Sequence, residues 1–209
     1  MYDDLKKVIV SIKDFYDRIN TKWKNLLIEN TQETYNINLK KKLVVDIMER
    51  QDIYNFIQQY RSFIMVHTEE VFEWMITYSS EHMHITSRVK QQNSVQYKIQ
   101  NYIKNHENGK VPIIKCFNDL FGIRIILHND YKLEEVVEYI NKIAPELKCI
   151  DSSKNDYKAV HVYFKDGNSS FPWELQIWCQ CDEKNNLESH KKYKQDYTSW
   201  ERDNCKGGG

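Results

Sequence analysis

An α+β domain behind a helical N-terminal layer is the fold class this sequence predicts. Three observations carry it. No glycine or proline stands before Gly109. Apolar residues recur at helical spacing through much of that first half, and after Thr86 short alternating segments interleave with helical ones. The 209 residues suffice for a substantial core. Thirty basic residues balance thirty acidic ones, so the chain has no net attraction for a polyanion, which must be held by local clusters instead.

The first element is a long amphipathic helix, in which Leu5, Val8, Ile9, Ile12, Phe15, Ile19, Trp23, Leu26 and Leu27 form one stripe. Asn30 and Thr31 break it, and Asn36–Asn38 interrupt the pattern again. A second helical region is expected from Leu39 to about Tyr78 in two pieces, its apolar face including Ile53, Phe56, Ile57, Phe63, Val71 and Trp74. His82 and His84 read as part of a solvated connector. A helix over 91–104 is closed by the polar run to Gly109. Residues 123–128 alternate as a strand. Asp130 is placed to cap a helix carrying Leu133, Val136, Val137 and Ile140, which Pro145 stops. Strands follow at 148–151, 158–165 and 173–178, the last two joined through Asp166-Gly167-Asn168, a hairpin signal. A closing helix spans roughly 185–200. The expected division is a helical region over residues 1–84, a mixed-sheet domain over 85–204 and a flexible tail over 205–209.

No run of about 18 apolar residues occurs, and the start Met1-Tyr2-Asp3-Asp4 lacks a signal-peptide layout, so a cytoplasmic protein without a membrane partner is expected. Five cysteines, an odd number, read as reduced thiols. Cys179-Gln180-Cys181 has no second pair to complete a zinc site.

Four short segments carry chemistry. Arg88 and Lys90 share a direction if they end an extended segment, and Ser94 and Lys98 share a helix face. Lysine offers phosphates a point charge, whereas arginine offers a planar cation that also stacks on a base. Asp119 precedes a strand, where a carboxylate is well placed to bind Mg²⁺; Gly122 and Arg124 follow on one face of it. Tyr157, on a loop after a polar run, presents a ring for stacking, and His161 leaves the next strand on the face opposite Val160 and Val162. On 173–178, Glu174 and Gln176 face a cleft while Leu175 and Ile177 face the core, so Glu174 is available as a metal ligand or proton acceptor. Each segment alone also fits a bland reading: a basic helix face, a turn aspartate, a packing tyrosine, a wet edge strand.

Taken in this order, Arg-x-Lys, the helix Ser and Lys, Asp-x-x-Gly-x-Arg, Tyr-x-x-x-His and Glu-x-Gln-Ile resemble the synthetase domain of the RelA/SpoT family, over about Ile85–Tyr197. The resemblance implies a nucleotidyltransferase-like fold and transfer of pyrophosphate from ATP to a nucleotide 3′-hydroxyl, with release of AMP. It implies that Arg88 and Arg124 sandwich adenine while Lys90, Ser94 and Lys98 hold the phosphates. Asp119 and Glu174 would ligate Mg²⁺, with Glu174 also acting as base. Tyr157 would stack on the acceptor base as part of the catalytic set, and His161 and Gln176 would position the acceptor.

Two positions depart from the family pattern. Asp156 stands where the loop glycine is usual, and Trp178 stands where a basic residue follows Glu-x-Gln-Ile. Loss of that cation disfavours a guanosine di- or triphosphate acceptor. The phrase Phe171-Pro172-Trp173-Glu174-Leu175-Gln176-Ile177-Trp178 resembles the toxic small alarmone synthetases of toxin–antitoxin pairs, several of which modify the 3′-CCA end of tRNA. This implies a small antitoxin as partner. Basic clusters Lys40-Lys41-Lys42 and Lys191, Lys192 and Lys194 are then candidates for holding the acceptor stem, though each also reads as a solvated face. The rival readings are a synthetase of guanosine or adenosine polyphosphates and a non-catalytic RNA-binding module.

Overall fold

The computed structural model describes residues 2–29, 37–129 and 131–191. Helix α1 (Tyr2–Glu29) follows the predicted stripe, burying Leu5, Val8, Ile9, Ile12, Phe15, Ile19 and Trp23. It is followed by α2 (Asp46–Glu49), α3 (Gln51–Val66) and α4 (Thr68–Tyr78). Strand β1 (Met83–Val89) leads into α5 (Gln92–Asn105), a tight turn at Glu107–Gly109 and the single turn α6 (Ile113–Cys116). Then come β2 (Phe121–Leu127), α7 (Leu133–Ile143), β3 (Lys148–Asp151), β4 (Val160–Phe164) and β5 (Trp173–Cys179). A short 3₁₀ turn leads to α8 over residues 183–191. The fold is α+β, a mixed sheet flanked by helices. No helix among the described residues is long and apolar enough to cross a membrane.

Strand order is β1-β2-β5-β4-β3, with β2 and β5 parallel and every other pair antiparallel. Register and the two-residue period of a strand sort the side chains. Ile85, Ile125, Ile177 and Val160 form one cross-strand row, and Ile123, Leu175 and Val162 another, all on the apolar face. Helices α1 and α3 cover this face near Trp173, whose indole lies 5.6 Å from Phe15 and 5.3 Å from Tyr16 and donates to the Tyr60 hydroxyl at 2.9 Å. One hydrophobic core therefore runs from α1 through the sheet, with no break at residue 84.

Two expectations are corrected. The second helical region begins at Asp46 rather than Leu39 and comes in three pieces. The backbone of 39–45 bonds instead to 109–114, through Val44 N–H to Val111 O (2.9 Å), Val45 N–H to Gly109 O (3.1 Å) and Ile113 N–H to Lys42 O (2.9 Å). Gly109 makes that approach possible: its φ is +73°, and a Cβ there would meet Ile103 Cγ1 at 3.1 Å and Val45 N at 3.2 Å. The expected solvated connector at His82 and His84 is in part the start of edge strand β1, with His84 on its exposed side. Helix α7 starts at Leu133 after Lys132; Asp130 and the later part of the closing helix lie outside the described residues.

Candidate functional site

The other face of the sheet carries two polar rows. Arg88, Gly122, Glu174 and Tyr163 are consecutive cross-strand partners, and so are Thr86, Arg124, Gln176 and His161. Arg88, Glu174, Gln176 and His161 from these rows line a cleft of ≈ 490 Å³. Helix α5 supplies Ser94, Tyr97 and Lys98 to its walls; α8 supplies Ser189 and His190; Asp119 and Tyr157 enter from loops. All four sequence segments thus converge on one cavity, and they do so because register aligns Arg88, Gly122 and Glu174 across three strands.

At one end, three cations surround one carboxylate. Lys90 Nζ donates to Asp119 Oδ2, Lys98 Nζ donates to Oδ1 at 2.8 Å, and Arg88 Nη2 lies 4.0 Å from Oδ2. Both lysines and Asp119 are largely withdrawn from solvent. Burial alone would raise the Asp119 pKa, but Lys98 and Lys90 together hold it well below the usual carboxylate range. For Lys98 burial is outweighed by Asp119, and its pKa rises. Lys90 falls below the usual lysine value, through burial reinforced by the nearby charges of Lys98 and Arg88. Positive charge is therefore in excess of what Asp119 neutralises, in a low-dielectric pocket that favours a further anion.

At the centre, Glu174 is held by three donors. Tyr163 Oη–H and His161 Nδ1 approach Oε1 at 3.2 Å, and Gln176 Nε2 donates to Oε2 at 2.8 Å. Burial raises the Glu174 pKa, but the His161 hydrogen bond and charge more than compensate, and the group stays ionised. His161 Nε2 meets the Tyr157 hydroxyl at 2.9 Å, and Trp178 Nε1–H reaches that hydroxyl at 3.4 Å. When the ring is neutral, one tautomer satisfies the chain, with Nδ1–H donating to Glu174 and Nε2 accepting from Tyr157. Burial pushes the Tyr157 phenol up to about 12, so it remains a donor at neutral pH.

Between β1 and β2 lies a slot of ≈ 130 Å³ bounded by Thr86, Arg88, Gly122, Arg124 and Gln176. Arg88 crosses the position of Gly122, where a Cβ would sit 3.7 Å from its Nε. Arg124 donates to Gln176 Oε1 from Nε (3.3 Å) and Nη2 (3.1 Å), and its guanidinium lies 3.6 Å from the Trp178 ring centroid. Burial lowers its pKa to about 10, with Arg88 adding to the shift, so it stays charged at neutral pH.

The structure thus brings Arg88, Lys90, Ser94, Lys98, Asp119, Tyr157, His161, Glu174 and Gln176 to one cleft, with Arg124 in the adjoining slot. Glu174 is on the central strand, fully buried along its length, rather than on a wet edge. Lys40, Lys41 and Lys42 occupy the turn before α2 and do not line the cleft; Lys191 is exposed beside His190; Lys192 and Lys194 lie outside the described residues. Sequence reasoning missed Tyr163, which the two-residue period from His161 would have found. It also missed His190, whose ring stacks on Trp178 at 5.5 Å and makes an edge contact with Tyr157 at 5.6 Å. Asn186, fully buried on α8, accepts from Lys158 N–H and donates to Lys158 O, both at 2.8 Å, and so ties the Tyr157 loop to α8. Nothing in the sequence signals that clasp.

Among the described residues no group of three or more His, Cys, Asp or Glu is placed to hold a metal ion. Asp119 and Glu174 supply hard oxygen atoms to one cleft, which suits magnesium, an ion commonly held by one or two carboxylates together with substrate phosphates. The donor set fits that ion, provided that incoming phosphates draw Lys90 and Lys98 off Asp119.

No curated protein matches the chain. Among solved structures, small alarmone synthetase 1 from Bacillus subtilis bound to its product pppGpp is 19% identical, with 66% of this chain and 83% of that chain covered and a TM-score of 0.43. The same enzyme bound to AMPCPP is 18% identical, at 67% and 81% coverage and a TM-score of 0.43. Small alarmone synthetase 2 from Bacillus subtilis is 19% identical, at 69% and 82% coverage and a TM-score of 0.40. Residues 87–198, more than half of the chain, match the family pattern described as a region found in RelA / SpoT proteins, and this match spans the segments that converge on the cleft: the chain belongs to the RelA/SpoT family.

Proposed function

We propose that this protein is an ATP-dependent pyrophosphotransferase of the small alarmone synthetase type, and that its acceptor is the 3′-terminal adenosine of the tRNA CCA end. The observation that carries the donor half is the excess of positive charge around a single carboxylate, from Lys90 and Lys98, both withdrawn from solvent, and the more exposed Arg88, next to a slot between two arginines. A triphosphate neutralises the first and a purine fills the second. Residues 85–204 would carry this chemistry, with 1–84 as the supporting helical layer.

In the proposed reaction the acceptor 3′-oxygen attacks the β-phosphorus of ATP, and the bond from that phosphorus to the oxygen bridging it to the α-phosphorus breaks. AMP leaves, and the β- and γ-phosphoryl groups remain on the acceptor. Glu174, ionised and oriented by His161, Tyr163 and Gln176, takes the hydroxyl proton. Lys90, Lys98 and Ser94 hold the phosphates in line, and positioning with electrostatics supplies most of the acceleration. Asp119 and Glu174 would hold magnesium, which when bound would supply neutralisation of the phosphate charge. Tyr157 offers its ring to the acceptor base, and with His161 and Gln176 it forms the acceptor side.

The tRNA reading is supported by that side of the cleft. Among the described residues, Tyr157, His161, Gln176, Ser189 and His190 line this side, where the nearest cation, Arg124, is already tied to Gln176, and Trp178 fills the sequence position where the family usually has a cation. A 3′-terminal nucleoside needs stacking there, whereas GDP or GTP needs cations for its own phosphates. Blocking the 3′-end would stop aminoacylation and translation, which fits a toxin neutralised by a small antitoxin. The second reading, synthesis of guanosine or adenosine polyphosphates, is the chemistry usual in the family. Offering deacylated tRNA, GDP, GTP, ADP and AMP separately with γ-labelled ATP decides between them. Label in tRNA alone supports the first reading, and label in a nucleotide alone overturns it.

A further inference from the structure

Trp178 is the residue the mechanism above leaves without a part in the reaction, although it is fully buried on the cleft face of the central strand. Ile126 and Ala159 pack against it, and its indole N–H reaches the Tyr157 hydroxyl. Its ring is thereby fixed. Successive cleft-facing positions on β2 and β5 place Gly122 beside Glu174, Arg124 beside Gln176 and Ile126 beside Trp178. The Arg124 side chain therefore lies between the Arg88–Gly122 slot on one side and Trp178 on the other.

A guanidinium is flat and has two stacking faces. With its centre 3.6 Å from the Trp178 ring centroid, Arg124 has one face covered by the indole. Its Nε and Nη2 are tied to Gln176 Oε1 in the plane, and Nη2 also lies 3.4 Å from His190 Nε2. What remains is the face toward the slot, where Arg88 crosses Gly122. We infer that Trp178 is a positioning residue for the donor nucleotide: it backs Arg124, so that the guanidinium is held flat to receive the adenine ring before ATP arrives. The order across the site is Trp178, Arg124, adenine, Arg88. Preorganisation of this kind raises affinity by removing the cost of ordering a long side chain on binding.

This inference rests on the ATP reading and makes a demand that reading does not. Trp178 should matter for ligands with a base and be silent for those without one. The experiment measures binding of AMPCPP and of inorganic tripolyphosphate to the full-length protein by calorimetry. It uses the unaltered chain, Trp178→Leu (apolar side chain kept, aromatic face lost) and Trp178→Phe (aromatic face kept), each first checked for a cooperative melt because both are smaller than the fully buried indole. AMPCPP affinity should fall about tenfold in Trp178→Leu, from the loss of a desolvated cation–π contact, and recover largely in Trp178→Phe. Tripolyphosphate affinity should be unchanged in both. In an Arg124→Ala background, Trp178→Leu should add less than twofold, because the two residues act as one unit.

Equal losses for both ligands would assign Trp178 a purely structural role and overturn the inference. Unchanged AMPCPP affinity with a raised acceptor KM would overturn it too, by placing Trp178 with the acceptor. No AMPCPP binding by the unaltered chain would remove the ATP reading and this inference with it. Normal binding there, combined with either of the two preceding results, removes the inference alone.

Discussion

At the residue scale the decisive group is Asp119. Its two lysine partners are buried with it, so removal of the carboxylate leaves two desolvated ammonium groups without a counter-charge. Asp119→Ala should therefore destabilise the protein by about 3–5 kcal/mol, the usual cost of breaking a buried ion pair. Added tripolyphosphate should restore more melting temperature in this variant than in the unaltered chain, because the anion replaces the missing charge. Thermal melts with and without the anion test this, and an equal or smaller gain in the variant would contradict the phosphate assignment. Glu174 presents the opposite case. Glu174→Gln keeps the shape and most hydrogen bonding but loses the proton acceptor, so kcat should fall about 10²–10⁴-fold while AMPCPP affinity stays within a few-fold. Parallel loss of both would indicate that Glu174 serves binding rather than proton transfer.

At the scale of elements, the pieces visible in the sequence were those whose partners are local or whose period is strict. Helix α1 and the two faces of β5 follow from a stripe and an alternation. Strand β1 was hidden because it is an edge strand built from His, Thr, Ser and Arg, with only Met83 and Ile85 fully buried. Residues 39–45 were misread as helix because their hydrogen-bond partners lie about 70 positions away, at 109–114, and no local period records a pairing that distant. The site was legible in its residue types and order, but its connections were not. Glu174 reaches Tyr163 only through strand pairing, and the Tyr157 loop is tied to α8 through Asn186. Asn186→Ala removes two part-buried hydrogen bonds to the Lys158 backbone, at a cost of about 1–3 kcal/mol for the pair. By loosening the Tyr157 loop it should raise the KM for the acceptor and leave AMPCPP affinity unchanged. Steady-state kinetics over both substrates measure the split, and an equal effect on the two would show that the clasp supports the whole cleft.

At the scale of the whole molecule, one core joins the N-terminal helices to the sheet, so changes at the site register in global stability. Burial, aided by the charges of Arg124 and Arg88, lowers the His190 pKa from 6.5 to about 4. Between these values the unfolded chain binds a proton that the folded chain does not, so this contribution to stability is present above pH 6.5 and lost as pH falls toward 4. Asp119 and Glu174, also depressed, act lower: their contribution is intact above about pH 4.5 and is lost on further acidification. Urea midpoints should thus decline first below about pH 6.5 and more steeply below about pH 4.5. His190→Phe, which keeps a ring against Trp178 without a titrating group, should flatten the first decline only. If the variant follows the unaltered chain throughout, His190 is not held neutral in the folded state.

The account rests on attack at the β-phosphorus of ATP by a 3′-hydroxyl on the tRNA end. Incubation with deacylated tRNA and ATP labelled in turn at the α- and γ-phosphates tests this most directly. The account predicts α-label recovered wholly as AMP and γ-label recovered on the 3′-terminal adenosine. Release of γ-label as orthophosphate, or transfer of α-label to the tRNA, would contradict it.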